Sequence, residues 1–225
     1  MTAGAASEEL FETDFLTPLD TTLARSITSK YPFIQVDGTL NFRDLGGLPI
    51  AGASTLQTRP GLIFRSGQIS ALTASGKEAL RDLGVRTVFD FRSSREFKKY
   101  DAPIPIVLGV EILHVPIFDD EAFTPDEMAR HQSLYGQGKE GFLSAYREIM
   151  DHGGPAFSKV IRHIIACPET PILFHCAGVL IPGRTPQVLT FRKFSGQRSY
   201  WPTSSFNPNG TVLLLTRDHP SMTLP

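Results

Sequence analysis

An α/β domain with a largely parallel sheet is the fold this sequence predicts, and three observations predict it. Short runs rich in β-branched and aromatic residues alternate with stretches that carry apolar residues at helical spacing. The 225 residues, 41% of them hydrophobic, suffice for one full core and fall short of two comfortable domains. Asp90 and Cys176 both fall at the carboxyl ends of predicted strands, where ligands sit in sheets of this kind.

Taken in order, residues 1–36 are mixed and acidic at the start and read as an N-terminal arm, with Phe11, Phe15 and Leu16 able to dock on a core. Residues 37–178 read as the α/β domain. Within it, Asn41-Phe42-Arg43-Asp44-Leu45-Gly46-Gly47 ends in a glycine pair suited to a tight turn, and Gly61 to Ser66 is a short apolar strand. Thr73 is a helix N-cap, Leu80 and Leu83 mark one apolar face behind it, and Gly84 ends that helix. Val85 to Phe91 is a strand that delivers Asp90 to its end, and Glu111 to Pro116 is another, stopped by its proline. The polar stretch from Phe118 to Gln137 reads as a loop with some helix. One helix is expected over 141–150, ending at Gly153-Gly154. A second starts near Pro155 and carries Phe157, Val160, Ile161 and Ile164 on one stripe. Pro171 to Phe174 is the strand that carries Cys176. Residues 179–225 hold six prolines and no helical stripe, and read as an irregular tail.

A net charge of -1 removes any global field that would draw the chain to nucleic acid or to an acidic membrane. With only Cys167 and Cys176, a disulfide framework is not expected and a reducing, cytoplasmic compartment is. Met1 to Asp14 lacks the basic-then-apolar order of a signal peptide, and no apolar run reaches the roughly 18 residues a membrane span needs. The histidines, His114 and His163 among them, show no ligand spacing, so neither metal nor cofactor is expected. The sequence sets no oligomeric state.

The chemistry concentrates in Phe174-His175-Cys176-Ala177-Gly178, followed by Arg184-Thr185. This reads as the start of a phosphate-binding loop with a thiolate nucleophile. Backbone N–H groups curled around the sulfur lower the thiol pKa and hold phosphate oxygens, a role that falls to His175, Ala177 and Gly178. Arg184 is the candidate to fork two donors onto the same oxygens. Set against this is a buried cysteine at a strand end, a common place for a free thiol. Asp90 is either a proton donor to a leaving oxygen or a strand-end acid paired with an arginine. Arg92 and Glu96 suit a structural ion pair or a loop support. Asn41, Arg43 and Asp44 suit a polar network that fixes the glycine turn, within reach of the site. Asp119 and Asp120 sit where a mobile loop would carry an acid, or are simply exposed; Cys167 reads as structural.

With Asn41 to Gly47, Arg59 to Gly67, Asp90-Phe91-Arg92-Ser93 with Glu96, and Phe174-His175-Cys176 in this order and spacing, the chain resembles the bacterial and fungal tyrosine/serine protein phosphatase family over roughly Leu40 to Gly178. The resemblance implies a cysteine-phosphatase α/β fold, with a parallel-rich sheet flanked by helices, and no metal. It also implies hydrolysis of phosphotyrosine, with phosphoserine open, through a phosphocysteine intermediate. The substrate would be a phosphorylated protein or a small phosphomonoester. His175 and Cys176 carry over onto the family loop His-Cys-x-x-Gly-Lys-Asp-Arg-Thr-Gly. The Lys-Asp pair has no counterpart here. Ala177 to Gly183 put seven residues between Cys176 and Arg184, a longer spacing than that pattern allows, and Pro186 stands where a glycine belongs. The helices that follow the loop in the family are missing or replaced. A catalytically impaired or truncated relative, and a phosphatase of small metabolites or phosphoinositides, therefore stand as alternatives.

Overall fold

Side-chain alternation along two short strands sets the architecture. The computed structural model describes residues 20–50, 53–121 and 123–177. In β5 (Thr87–Asp90) and β7 (Ile172–His175), Val88 and Leu173 point to one face of the sheet and Phe89 and Ile172 to the other. A strand buried on both faces must be apolar on both, which is why neither run shows polar alternation. Each fully buried side chain of this size contributes about 1.5–3 kcal/mol.

The sheet has five strands in the order β1-β4-β7-β5-β6. β4 (Ile63–Ser66), β7, β5 and β6 (Glu111–His114) run parallel, and β1 (Arg43–Asp44) closes one edge antiparallel to β4. β2 (Pro49–Ile50) and β3 (Ala53–Gln57) form a separate antiparallel ribbon. One face packs Phe42, Phe64, Val88 and Leu173 with Leu80 of α2 (Ala74–Asp82). The other packs Phe89 and Ile172 with Ala156 and Val160 of α6 (Gly154–Ala166). This is the parallel-rich α/β architecture expected from the sequence.

Helix ends follow the residues that punctuate them. Thr73 caps α2 by accepting from the Gly76 amide at 3.1 Å. At its other end Gly84, at φ 73°, donates to the Arg81 carbonyl while Val85 donates to Leu80, a pair of bonds that only a left-handed residue permits without strain. α5 (Gly138–His152) runs to Gly153, longer than the 141–150 stripe suggests, and α6 starts with its proline in the first turn. The polar stretch yields α4 (Pro125–Leu134), capped by Thr124.

Three features differ from expectation. The stretch assigned to an arm holds α1 (Thr21–Thr28), started by the Asp20 carboxylate on the Thr22 and Leu23 amides at 2.9 and 3.0 Å. Val36 then packs in the core with Phe42 and Phe64. Secondly, α3 (Ser94–Tyr100) forms on a capping box in which Ser93 and Glu96 satisfy each other's backbone amides. Thirdly, of the two roles expected for Arg92 and Glu96, the ion pair is not formed: Glu96 supports the loop through the cap. The positions of Phe11, Phe15, Leu16 and the 179–225 tail lie outside the described residues.

Candidate functional site

β7 ends at His175, and the chain emerges from the centre of the sheet so that the Cys176 side chain is exposed. The reading of Cys176 as a buried structural thiol is thereby removed. The neighbouring side chain goes the other way: His175 is 1% exposed, paired in register with Asp90 on β5 and with Ser66 on β4. Strand alternation thus separates an outward sulfur from an inward imidazole.

Beneath the sulfur lies a dry polar layer. Asp90 is 0% exposed, and Arg92 grips it through Nη2 at 2.7 Å to Oδ2 and Nε at 3.0 Å to Oδ1. Arg92 Nη1 donates to Ser70 Oγ and the Ala102 carbonyl, both at 3.0 Å, and the guanidinium lies 4.3 Å from the centre of the Phe97 ring. His175 Nε2 stands 3.4 Å from Asp90 Oδ2 but is not aligned for a hydrogen bond. Burial lowers the His175 pKa to about 4, with the Asp90 charge opposing and the Arg92 charge reinforcing, so the ring is neutral at physiological pH. Burial likewise raises the Glu96 carboxyl above its ordinary range, against the Ser93 hydrogen bonds that favour its charge.

The wall on the exposed side comes from β1, β4, α4 and α5. Arg43 and Arg65 face each other across the β1–β4 ladder. Arg43 is 6% exposed, its guanidinium 5.6 Å from the Phe33 ring and donating to Asn41 Oδ1. Burial first, and then the Arg65 charge, bring its pKa down to about 10. Tyr146 of α5 is hydrogen-bonded to Arg65 and lies within electrostatic reach of both Arg43 and Cys176; burial is the main reason its hydroxyl pKa is raised. Tyr135 also feels the Cys176 charge, though burial is again the first cause of its raised pKa. Its hydroxyl is 3.3 Å from His131 Nε2, and His131 Nδ1 is 2.7 Å from Glu148 Oε2. With Nδ1–H donating to the carboxylate, Nε2 is left to accept the Tyr135 proton. Arg130 holds Glu148 in a two-pronged contact and, with His131, keeps its pKa near 2 against the opposing effect of burial.

The expected site residues divide accordingly. Cys176 and Ala177 lie at the strand end; His175 adjoins them with its side chain turned inward, so only its backbone faces the loop. Gly178 and Arg184 lie outside the described residues. Asp90 occupies the predicted strand end, and its carboxylate is enclosed and held by Arg92, the second of the two roles expected for it. Asp44 fixes the glycine turn, accepting from the Gly46 amide at 2.8 Å and the Gly61 amide at 2.7 Å. Asp120 accepts from the Ser94 amide at 3.0 Å; this bond and Arg95 lower its pKa although burial works the other way. Asp119 remains exposed on the loop, accepting from the Glu121 amide at 2.9 Å. The sequence leaves Arg65, Tyr135 and Tyr146 unassigned, because only strand register places Arg65 beside β7, and only the packing of the end of α4 and of α5 brings Tyr135 and Tyr146 within electrostatic reach of Cys176. Among the described residues no group of His, Cys, Asp and Glu side chains gathers in a way that could hold a metal ion, and no helix is long and apolar enough to cross a membrane.

Comparison with known proteins places this arrangement. The model of the tyrosine phosphatase family matches residues 34–178. The triple specificity protein phosphatase PtpB of Mycobacterium tuberculosis is 35% identical over 164 residues, covering 63% of this chain and 56% of that protein. A "putative tyrosine-protein phosphatase" of Cupriavidus necator is 33% identical over 163 residues, covering 68% of this chain and 54% of that one. The chain spans about half the length of these curated relatives.

Proposed function

The chain belongs to the tyrosine phosphatase family, and from that premise we propose that it is a cysteine-dependent phosphoric monoester hydrolase acting on phosphotyrosine, with phosphoserine as a second substrate class. The observation that carries the reading is an exposed Cys176 at the end of the central strand, two residues beyond the register partner of Arg65 and within electrostatic reach of Tyr135 and Tyr146.

The Cys176 thiolate attacks phosphorus, the P–O bond to the leaving group breaks, and the phosphoryl group rests on sulfur until water displaces it. Phosphate oxygens are met by backbone N–H groups from Ala177 and Gly178 and by the Arg184 guanidinium. The neutral His175 ring braces the loop from below and takes no proton from substrate. Asp90 acts through Arg92 as a positioning residue. Neither metal nor cofactor enters the mechanism, and the protein works in the cytoplasm.

The loop spacing supports a second reading in which turnover is weak. Seven residues between Cys176 and Arg184, and a proline at 182 that donates no N–H, enlarge the ring of donors. Loss of one preorganised donor costs roughly a hundred- to thousand-fold in rate. Hydrolysis of an aryl phosphate by wild type and Cys176→Ser, each with and without chelator, tests both readings. Metal-independent hydrolysis that disappears with the sulfur is expected. Equal rates in the two proteins, or loss on chelation alone, would sink the phosphocysteine mechanism. A wild-type rate at the uncatalysed background identifies an impaired relative.

A further inference from the structure

We infer that Arg43, Arg65 and the Tyr146 hydroxyl form a phosphate-binding subsite beside Cys176, built on the β1–β4 edge of the sheet. Arg43 and Arg65 are direct Cα partners across the antiparallel β1–β4 pair. Side chains so placed lie on the same face with their Cβ atoms about 5 Å apart, and like charges in that relation destabilise a sheet. An anion held between two guanidiniums reverses the sign of that interaction. Planar forks suit tetrahedral oxyanions, because each presents paired N–H donors to two oxygens at once.

The two arginines are not equivalent, and the difference favours binding over mere packing. Arg43 is the fixed member: it is buried, stacked near Phe33, and bonded to the Asn41 carboxamide. Asn41 itself adopts φ 57°, a left-handed conformation uncommon outside glycine, to bring that carboxamide round. Arg65 is half-buried, hydrogen-bonded to Tyr146, and paired in register with Phe174, two residues before the exposed Cys176. The depressed pKa of Arg43, due to burial and then to Arg65, reports the same crowding of positive charge. Tyr146 stays protonated and so offers a neutral donor rather than a competing anion. The ligand class is a phosphate monoester dianion or inorganic phosphate. The subsite rests on the hydrolase reading for its biological substrate but not for binding itself.

The test is titration of the full chain with inorganic phosphate at constant ionic strength, in a Cys176→Ser background so that nothing turns over. Arg65→Gln is expected to weaken phosphate binding about tenfold or more, Tyr146→Phe by about two- to tenfold, and Arg65→Lys to recover part of the loss, since a lysine keeps the charge without the fork. Each variant must melt like its parent when phosphate is absent; Arg43→Gln, at a buried position, is secondary for that reason. In the Cys176-containing chain, phosphate should slow alkylation of Cys176 and leave Cys167 unprotected, and Arg65→Gln should abolish the protection. A folded Arg65→Gln variant that binds phosphate as tightly as its parent overturns the proposal, as does a parent that responds no more to phosphate than to chloride. A chain that binds phosphate through Arg65 yet hydrolyses nothing keeps the subsite and removes the catalytic reading. A chain whose KM is indifferent to Arg65 does the reverse.

Discussion

Asp90→Asn separates an anchoring carboxylate from a catalytic one. Both members of the Asp90–Arg92 pair are essentially sealed from water, with side-chain exposures of 0% and 1%. Arg92 Nη2 and Nε reach the carboxylate at 2.7 and 3.0 Å. Neutralising Asp90 leaves a guanidinium in a dry site with Ser70, Ala102, the Phe97 ring and the more distant Glu96 carboxyl to offset its charge. Removing one partner of such a pair costs about 3–5 kcal/mol. For a chain of this size each kcal/mol moves the melting point by about 2–4 °C, so a fall of roughly 6–20 °C is expected. Replacing both residues together, as Asp90→Leu with Arg92→Met, should cost less than the two single changes summed, because no orphan charge is left. Thermal and urea unfolding followed by circular dichroism supply the cycle. If Asp90→Asn melted like wild type while any hydrolysis lost its requirement for a protonated group, Asp90 would be the proton donor and the anchoring argument would fail.

Acid should weaken the fold through His175. Its folded pKa of about 4 lies below the usual value near 6.5, so the native state binds fewer protons, and stability falls as pH drops through that window. The full effect is on the order of 3 kcal/mol. Urea titrations at several pH values should show this slope in wild type and a flatter one in His175→Asn; parallel slopes would refute it. Gly76→Ala should destabilise α2 although alanine is the better helix former by about 1 kcal/mol. The added Cβ would stand 1.9 Å from the Asp37 carbonyl oxygen and 2.9 Å from Leu72 Cδ2. A net loss on the order of 1–3 kcal/mol is expected in chemical denaturation, and any gain would mean that the Asp37 loop yields freely.

Much of this arrangement was legible before any coordinates. β5 and β7 announce themselves because strands buried on both faces must be continuously apolar. Thr73, Gly84 and Pro155 mark helix ends by chemistry that acts within one turn. α3 is equally marked, by Ser93 and Glu96 at capping-box spacing, but the sequence alone leaves Glu96 between an ion pair with Arg92 and a support of the loop, and the cap is the second of these. The closer Asp90 lies two residues away, on the same face of an extended segment, and competes better for the guanidinium. α1 carries too short a stripe to stand out. Arg65 could not be placed from sequence, because its opposition to Arg43 depends on a register set by two-residue β1, which no periodicity reveals.

The strand that presents Cys176 is the last described strand in sequence and the middle one in space, flanked by β4 and β5. During synthesis the ribosome therefore releases both flanking strands well before the piece that joins them, with their inner edges unpaired. Such edges are templates for association with other chains, and pairings between residues so distant along the chain are slow to form. The nucleophile-bearing segment is thus also the keystone of assembly. A nascent chain halted at α6 would expose two half-sheets, and a chaperone requirement should track the arrival of residues 172–175.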